Sequence, residues 1–222
     1  MTEVKERPIL FSGPMVRAIL AGHKTQTRRV AKPVRHPDLG NLYDPGALVL
    51  EGEPKHVIDR ACPYGQPGDR LWVRETWSHA NNRIAPYSPG VPVHYRADYL
   101  DEPDGADGEL AVGGKYRFWL PSIHMPRSAS RLVLEITGIR VEKLQQISSA
   151  DAKAEGTVPD KVRQFNLFGA DATQRELAYR DAAVDPYRRL WEEINGMGSW
   201  HKNPWVWVVE FGVLIGHETE DR

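Results

Sequence analysis

The stretch Trp205 to Leu214, WVWVVEFGVL, restricts the fold more than any other part of this chain. A run this continuously apolar cannot leave either face in water, so it reads as a strand central in its sheet. Its partners are visible upstream. Arg131 to Leu144 (RLVLEITGIRVEKL) alternates Leu132, Leu134 and Ile136 with Val133, Glu135 and Thr137, and Gly138 marks a bulge or bend in it. Arg70 to Trp77 (RLWVRETW) alternates as well, with Leu71 and Val73 facing a core. Continuing that alternation turns Glu75 inward, where a carboxylate must meet a cation, such as an arginine of the N-terminal basic stretch, or a ligand. Short strands are also expected at Val93–Ala97 and Tyr116–Trp119.

Helices lie between these strands. Pro14 to Gly22 opens with proline, places Val16, Ile19 and Leu20 on one face and stops at glycine. Ser148 or Ser149 caps SSADAKAEG, and Ser148 with Asp151 has capping-box spacing. Gly156 ends that helix and leaves Glu155 in the last turn, where the helix dipole disfavours an anion. Val158 to Gln174 reads as loop and Arg175 to Val184 as helix. Asp185-Pro186 then reads as the start of a new helix, with Tyr187, Leu190, Trp191 and Ile194 on one face and Gly196 as its stop. Strands at the beginning, middle and end with helices between them predict an α+β domain built on a small mixed β-barrel.

Charge is unevenly spread. From Pro8 to Pro37 there is no acid, while Arg17, Lys24, Arg28, Arg29, Lys32 and Arg35 all fall in that window. In a chain of net charge −1 this reads either as an anion-facing patch or as a solvated basic face. The acids of Asp98–Glu109 suggest an exposed insertion. The single Cys62 excludes an internal disulfide, and His36, His56 and Cys62 match no established metal spacing, so neither metal nor cofactor is expected. No apolar run is long enough to span a membrane, and MTEVKERPIL lacks a signal-peptide core, so a cytoplasmic location is expected. His124 lies in a loop bracketed by Pro121 and Pro126 and is either packed there or a ligand contact.

The order and spacing of several segments resemble the ASCH domain, a relative of the PUA RNA-binding fold. They are LAGHKTQTRR, the Gly68-Asp69 turn before RLWVRETW, RLVLEITGIRVEKL, ADAKAEG and WVWVVEF. PSIHMPRSASR and the tail WEEINGMGSWHKNPWVWVVEF are similar to the longer form found in phages and prophages. The resemblance covers nearly the whole chain, as one domain over 1–222 with insertions at about 31–65 and 78–125. It implies a PUA-like barrel with flanking helices and a cleft for a nucleobase, a modified nucleoside or a single-stranded nucleic acid. One bacterial member is an N4-acetylcytidine amidohydrolase whose Lys-x-x-Thr pair and helical Glu match Lys24, Thr27 and Glu155. In such a site Thr27 would be nucleophile, Lys24 would be base only with a depressed pKa, and Glu155 would shuttle the proton or orient water. Thr25, Gln26, Arg28, Arg29, Glu75, Trp77 and His124 are the candidate ligand contacts, and Trp119 is a second ring able to stack a base. If residues 24 to 27 run as a straight strand, Lys24 and Thr27 face opposite sides, so convergence needs a turn. The alternatives are a non-catalytic reader and a phage accessory protein whose partner is another protein.

Overall fold

A computed structural model describes residues 4–79, 86–98, 109–111, 115–117, 119–158 and 171–214. In chain order the elements are β1 (Glu6–Leu10), α1 (Gly13–Leu20), β2 (Gln26–Val30), β3 (Val34–Arg35), β4 (Leu42–Tyr43), α2 (Pro45–Leu50) and α3 (Lys55–Ala61). There follow β5 (Arg70–Arg74), β6 (Trp77–His79), β7 (Val93–Tyr95), β8 (Glu109–Ala111), β9 (Lys115–Arg117), β10 (Val133–Lys143), α4 (Ser149–Ala154), α5 (Ala172–Asn195) and β11 (Trp205–Leu214). The fold is mixed α+β. The acidic insertion read from sequence falls largely outside the described residues.

The chain divides into two compact units. The first comprises residues 1–20, 69–135 and 213–222, and the second residues 21–68 and 136–212. In the first unit β5 lies between β1, which is parallel to it, and the start of β10, which is antiparallel. Leu71, Val73 and Leu134 are fully buried, as their alternation requires. In the second unit β11 pairs antiparallel with β2, Val206 opposite Val30 through Glu210 opposite Gln26. Its other neighbour is β10, so the apolar closing strand is interior to the sheet.

Among the described residues the hydrogen-bonded neighbours run in the order β1-β5-β10-β11-β2. The expected barrel is therefore replaced by an open sheet. Closure would need a continuous register around all the strands, and the ladder pairings form an open series.

Within β10 the buried positions are Leu134 and Ile136, then Ile139 and Val141. The alternation slips by one residue around Thr137-Gly138, as a bulge requires. A Cβ at Gly138 would stand 2.5 Å from a Glu210 carboxylate oxygen, so a larger residue there would push that side chain aside.

Two expectations about helices are corrected. Leu20 is exposed, so the buried stripe of α1 is Val16 and Ile19. Asp185 does not start a new helix, because α5 runs unbroken through Pro186. The true N-cap is Asp171, whose side chain accepts from the Gln174 N–H. An internal proline loses one backbone hydrogen bond and strains the preceding turn. Here the buried side chains on either side of it, Val184, Tyr187 and Trp191, share one apolar cluster with Trp200, Val206 and Val208, and that packing holds the helix together.

Candidate functional site

Strand β2 and the end of α4 position the residues around Lys24. The Thr25 N–H donates to Ala154 O, and the Phe211 N–H donates to Thr25 O, which extends the β2·β11 register backwards to Thr25. Lys24 then forms an antiparallel bridge with Glu155. Alternation along β2 puts Gln26 and Arg28 on one face. Both reach α4: Gln26 Nε2 donates to Asp151 O, and the Arg28 guanidinium contacts both Asp151 and Glu155.

The Lys24 ammonium is 1% exposed and uses all three of its protons. It donates to Gln26 O at 2.9 Å, to Glu155 O at 3.0 Å and to Glu155 Oε2 at 2.8 Å. The second Glu155 oxygen accepts from Arg28 Nη1 at 3.1 Å, so the carboxylate is held on both sides. Arg28 also donates to Glu142 at 2.7 Å and lies over the Tyr187 ring. Arg140 extends the network by donating to Glu142, Asp151 and Glu210. The unfavourable dipole position of Glu155 is thus offset by two cations, one of which also binds its main-chain carbonyl at the helix end.

Burial pushes the Lys24 amine below its usual range, and the charges of Arg29 and Arg28 act in the same direction, against the pull of Glu155. Burial raises the Asp151 carboxyl, but bonds from the Ser148 hydroxyl and N–H, with Arg28 and Arg140, outweigh it and bring the group to about 2. A carboxylate depressed in the folded state contributes stability above its unfolded value, which is lost as pH falls toward the folded one. We expect about 1 kcal/mol, after allowance for solvent screening, to disappear as pH falls from about 4 to about 2. Urea midpoints across that range should show the loss in the wild type and a flatter profile in Asp151→Asn.

The structure brings together Lys24, Glu155, Gln26 and Arg28, and it withdraws Lys24 and Arg28 from the basic surface suggested by their charge. Thr27 is buried, and alternation places it on the opposite face of β2 from Arg28. No turn intervenes, since the pairing with β11 runs straight from Thr25 to Val30. Arg29 shares the Thr27 face and is half-buried, and Thr25 is exposed.

Glu75, Trp77 and His124 belong to the other unit. Glu75 is 1% exposed, and its cation is Arg131 rather than an arginine of the basic window. The two pair through both carboxylate oxygens at 2.9 and 3.1 Å. Arg131 also grips Asp98 and lies 4.0 Å from the centre of the Tyr95 ring. Trp77 is buried against Met125, Ala129, Tyr87 and His79. Trp119 lies under Arg96, and His124 is exposed.

Sequence reasoning missed Arg131, Glu142 and Arg140. A signal existed for the last two, since Arg140 and Glu142 fall on one face of the strand that also carries buried Ile139 and Val141. Among the described residues no group of three or more His, Cys, Asp or Glu side chains could hold a metal ion, and no helix is long and apolar enough to cross a membrane. Comparison with family models, with curated proteins and with solved structures finds no match to this chain.

Proposed function

We propose that this chain is a PUA-like domain of the ASCH kind that binds a modified nucleoside or a single-stranded nucleic acid. The observation that supports this reading is the meeting of Lys24 with Glu155. They lie 131 residues apart in sequence and sit 2.8 Å apart in the fold. That is the pairing the resemblance implies, and a buried ammonium–carboxylate pair whose proton affinity is tuned by its surroundings is a recurrent feature of functional sites.

The second reading is hydrolysis of an N4-acyl group, and the lowered proton affinity of Lys24 favours it. A proton passing from Nζ to Glu155 Oε2 leaves a neutral amine and a neutral acid. The amine then takes the Thr27 hydroxyl proton as Thr27 attacks the acyl carbonyl, and Glu155 returns its proton to the departing nitrogen. Water afterwards cleaves the acyl ester and restores Thr27. Because Thr27 lies across the strand from Arg28 and Glu155, this route requires the backbone at Thr25-Gln26 to turn. Binding is therefore the first reading.

Incubation with N4-acetylcytidine separates the two. Saturable binding without release of cytidine and acetate, together with salt-sensitive binding of single-stranded RNA or DNA, is expected for a reader. Turnover lost in a folded Lys24→Met variant is expected for the hydrolase. A protein that binds neither acylated nucleosides nor single strands contradicts both.

A further inference from the structure

We propose that His36 is an acid-operated latch, which holds the turn at 36–41 closed as a neutral ring and releases it when the ring takes a second proton. The proposal goes beyond the nucleoside-binding reading and concerns the hairpin of β3 and β4. Val34 is opposite Tyr43 and Arg35 is opposite Leu42, and the chain turns tightly between them. The Gly40 N–H donates to His36 O and the His36 N–H donates to Asn41 O, each at 2.9 Å. Pro37 suits the first position of a helical turn, and Gly40 ends that turn at φ 74°. His36 stands at the cap before them, where a serine or aspartate side chain would ordinarily accept from the free N–H groups. Here the ring accepts instead. Nδ1 receives the Asp38 N–H at 3.2 Å and the Leu39 N–H at 3.1 Å.

These two bonds fix the chemistry of the ring. An imidazole nitrogen that accepts carries no proton, so the ring is neutral and its one proton is on Nε2. Nε2 lies 3.3 Å from Glu53 Oε1, out of line for a good hydrogen bond. A second proton can go only to Nδ1, where it would meet two N–H donors head-on. His36 is 3% exposed, so water has little access to relieve that clash while the turn is closed. The closed turn therefore binds fewer protons than the open one, and acid favours opening. The charged neighbours set the bias. Glu53 attracts the protonated ring, while Asp38 is tied to Arg60 at 2.9 Å and Arg35 donates to Gly40 O. Tyr43 stands edge-on to the imidazole, and its hydroxyl is bonded to Glu51. Glu53 thus draws the proton that the two backbone donors oppose, and the turn is the part that yields. The same turn holds Leu39 and Leu42 out in solvent, so its release rearranges the apolar side chains that this hairpin presents.

The test follows the full chain by NMR from about pH 8 to about pH 5, the range over which histidines as a class change charge. The His36 ring nitrogens report its tautomer and charge, and amide exchange at Asp38, Leu39 and Gly40 reports the turn. At the alkaline end Nε2 alone should carry a proton. As Nδ1 takes one, protection of those amides, corrected for the intrinsic pH dependence of exchange, should fall together by roughly five- to thirtyfold, the loss expected of a helix cap. Amides of β11 should keep theirs. His36→Asn supplies an acceptor that does not titrate and should abolish the response. Asp38→Asn removes the turn's own acid and should leave the response in place, and Glu53→Gln should move it to lower pH. Protonation of Nδ1 with the turn amides still protected overturns the proposal, and so does a His36 that stays neutral until the whole chain unfolds. Either result leaves the nucleoside-binding reading intact.

Discussion

Glu155→Ala is expected to cost the protein about 3–5 kcal/mol, the usual penalty for removing one member of a buried ion pair. The substitution leaves the Lys24 ammonium, already 1% exposed, with two carbonyl oxygens and no counter-charge on that side. Arg28 keeps Glu142 and Asp151, so the damage centres on Lys24. Urea denaturation should show it as a lower midpoint with little change in slope. Lys24→Met with Glu155→Leu should recover most of the loss, because two apolar side chains of similar size remove both desolvation costs together. The pH dependence follows from the sign of the Lys24 shift. Its folded proton affinity is lowered below the unfolded value of 10.5, so the unfolded chain binds more protons between the two. Stability therefore rises with pH through that window, and removing the carboxylate widens it. The deficit of Glu155→Ala should narrow as the solution is made alkaline. A deficit below 1 kcal/mol at neutral pH would mean that the pair does not hold α4 against β2.

Arg131→Ala is expected to cost about 2–4 kcal/mol, somewhat less because Arg131 is 25% exposed and water can partly replace it. Glu75 would lose both hydrogen bonds to its carboxylate while remaining 1% exposed. Burial already raises the Glu75 carboxyl above its usual range, with Arg131 pulling the other way. A group raised in the folded state contributes stability below its unfolded value and loses it as pH rises through the folded one. Deleting the arginine leaves burial unopposed, so the variant's deficit should shrink on mild acidification and grow toward neutral pH. Adding Glu75→Gln to Arg131→Ala should flatten that dependence. A deficit that stays constant across this range would show that Arg131 acts through packing on Tyr95 rather than through charge.

Particular residues show how far the sequence could be read. The alternation of Leu71, Val73 and Glu75 placed a carboxylate inside the first unit and required a partner for it, but it did not say which one. Arg131 lies 56 residues away, beyond any periodic signal, and only the pairing of β10 with β5 brings it close. Ser148 and Gly156 marked both ends of α4 because capping and a left-handed stop are local chemistry. Pro186 was misleading for the same reason: its local preference is to start a helix, and shared burial on both sides overrode it. The position of Thr27 followed from strand alternation alone, a warning already present in its spacing from Lys24.

The sequence alone determined the strands that the core is built on, the caps of α4 and the fact that Glu75 must be buried. Each depends on neighbours within a few residues, where backbone period and side-chain chemistry act directly. Tertiary structure alone decided that Lys24 and Arg28 face a carboxylate rather than solvent, and that Arg131 is the cation that meets Glu75. These depend on which strands pair and in what register, and one residue of register reverses the face on which every side chain lies.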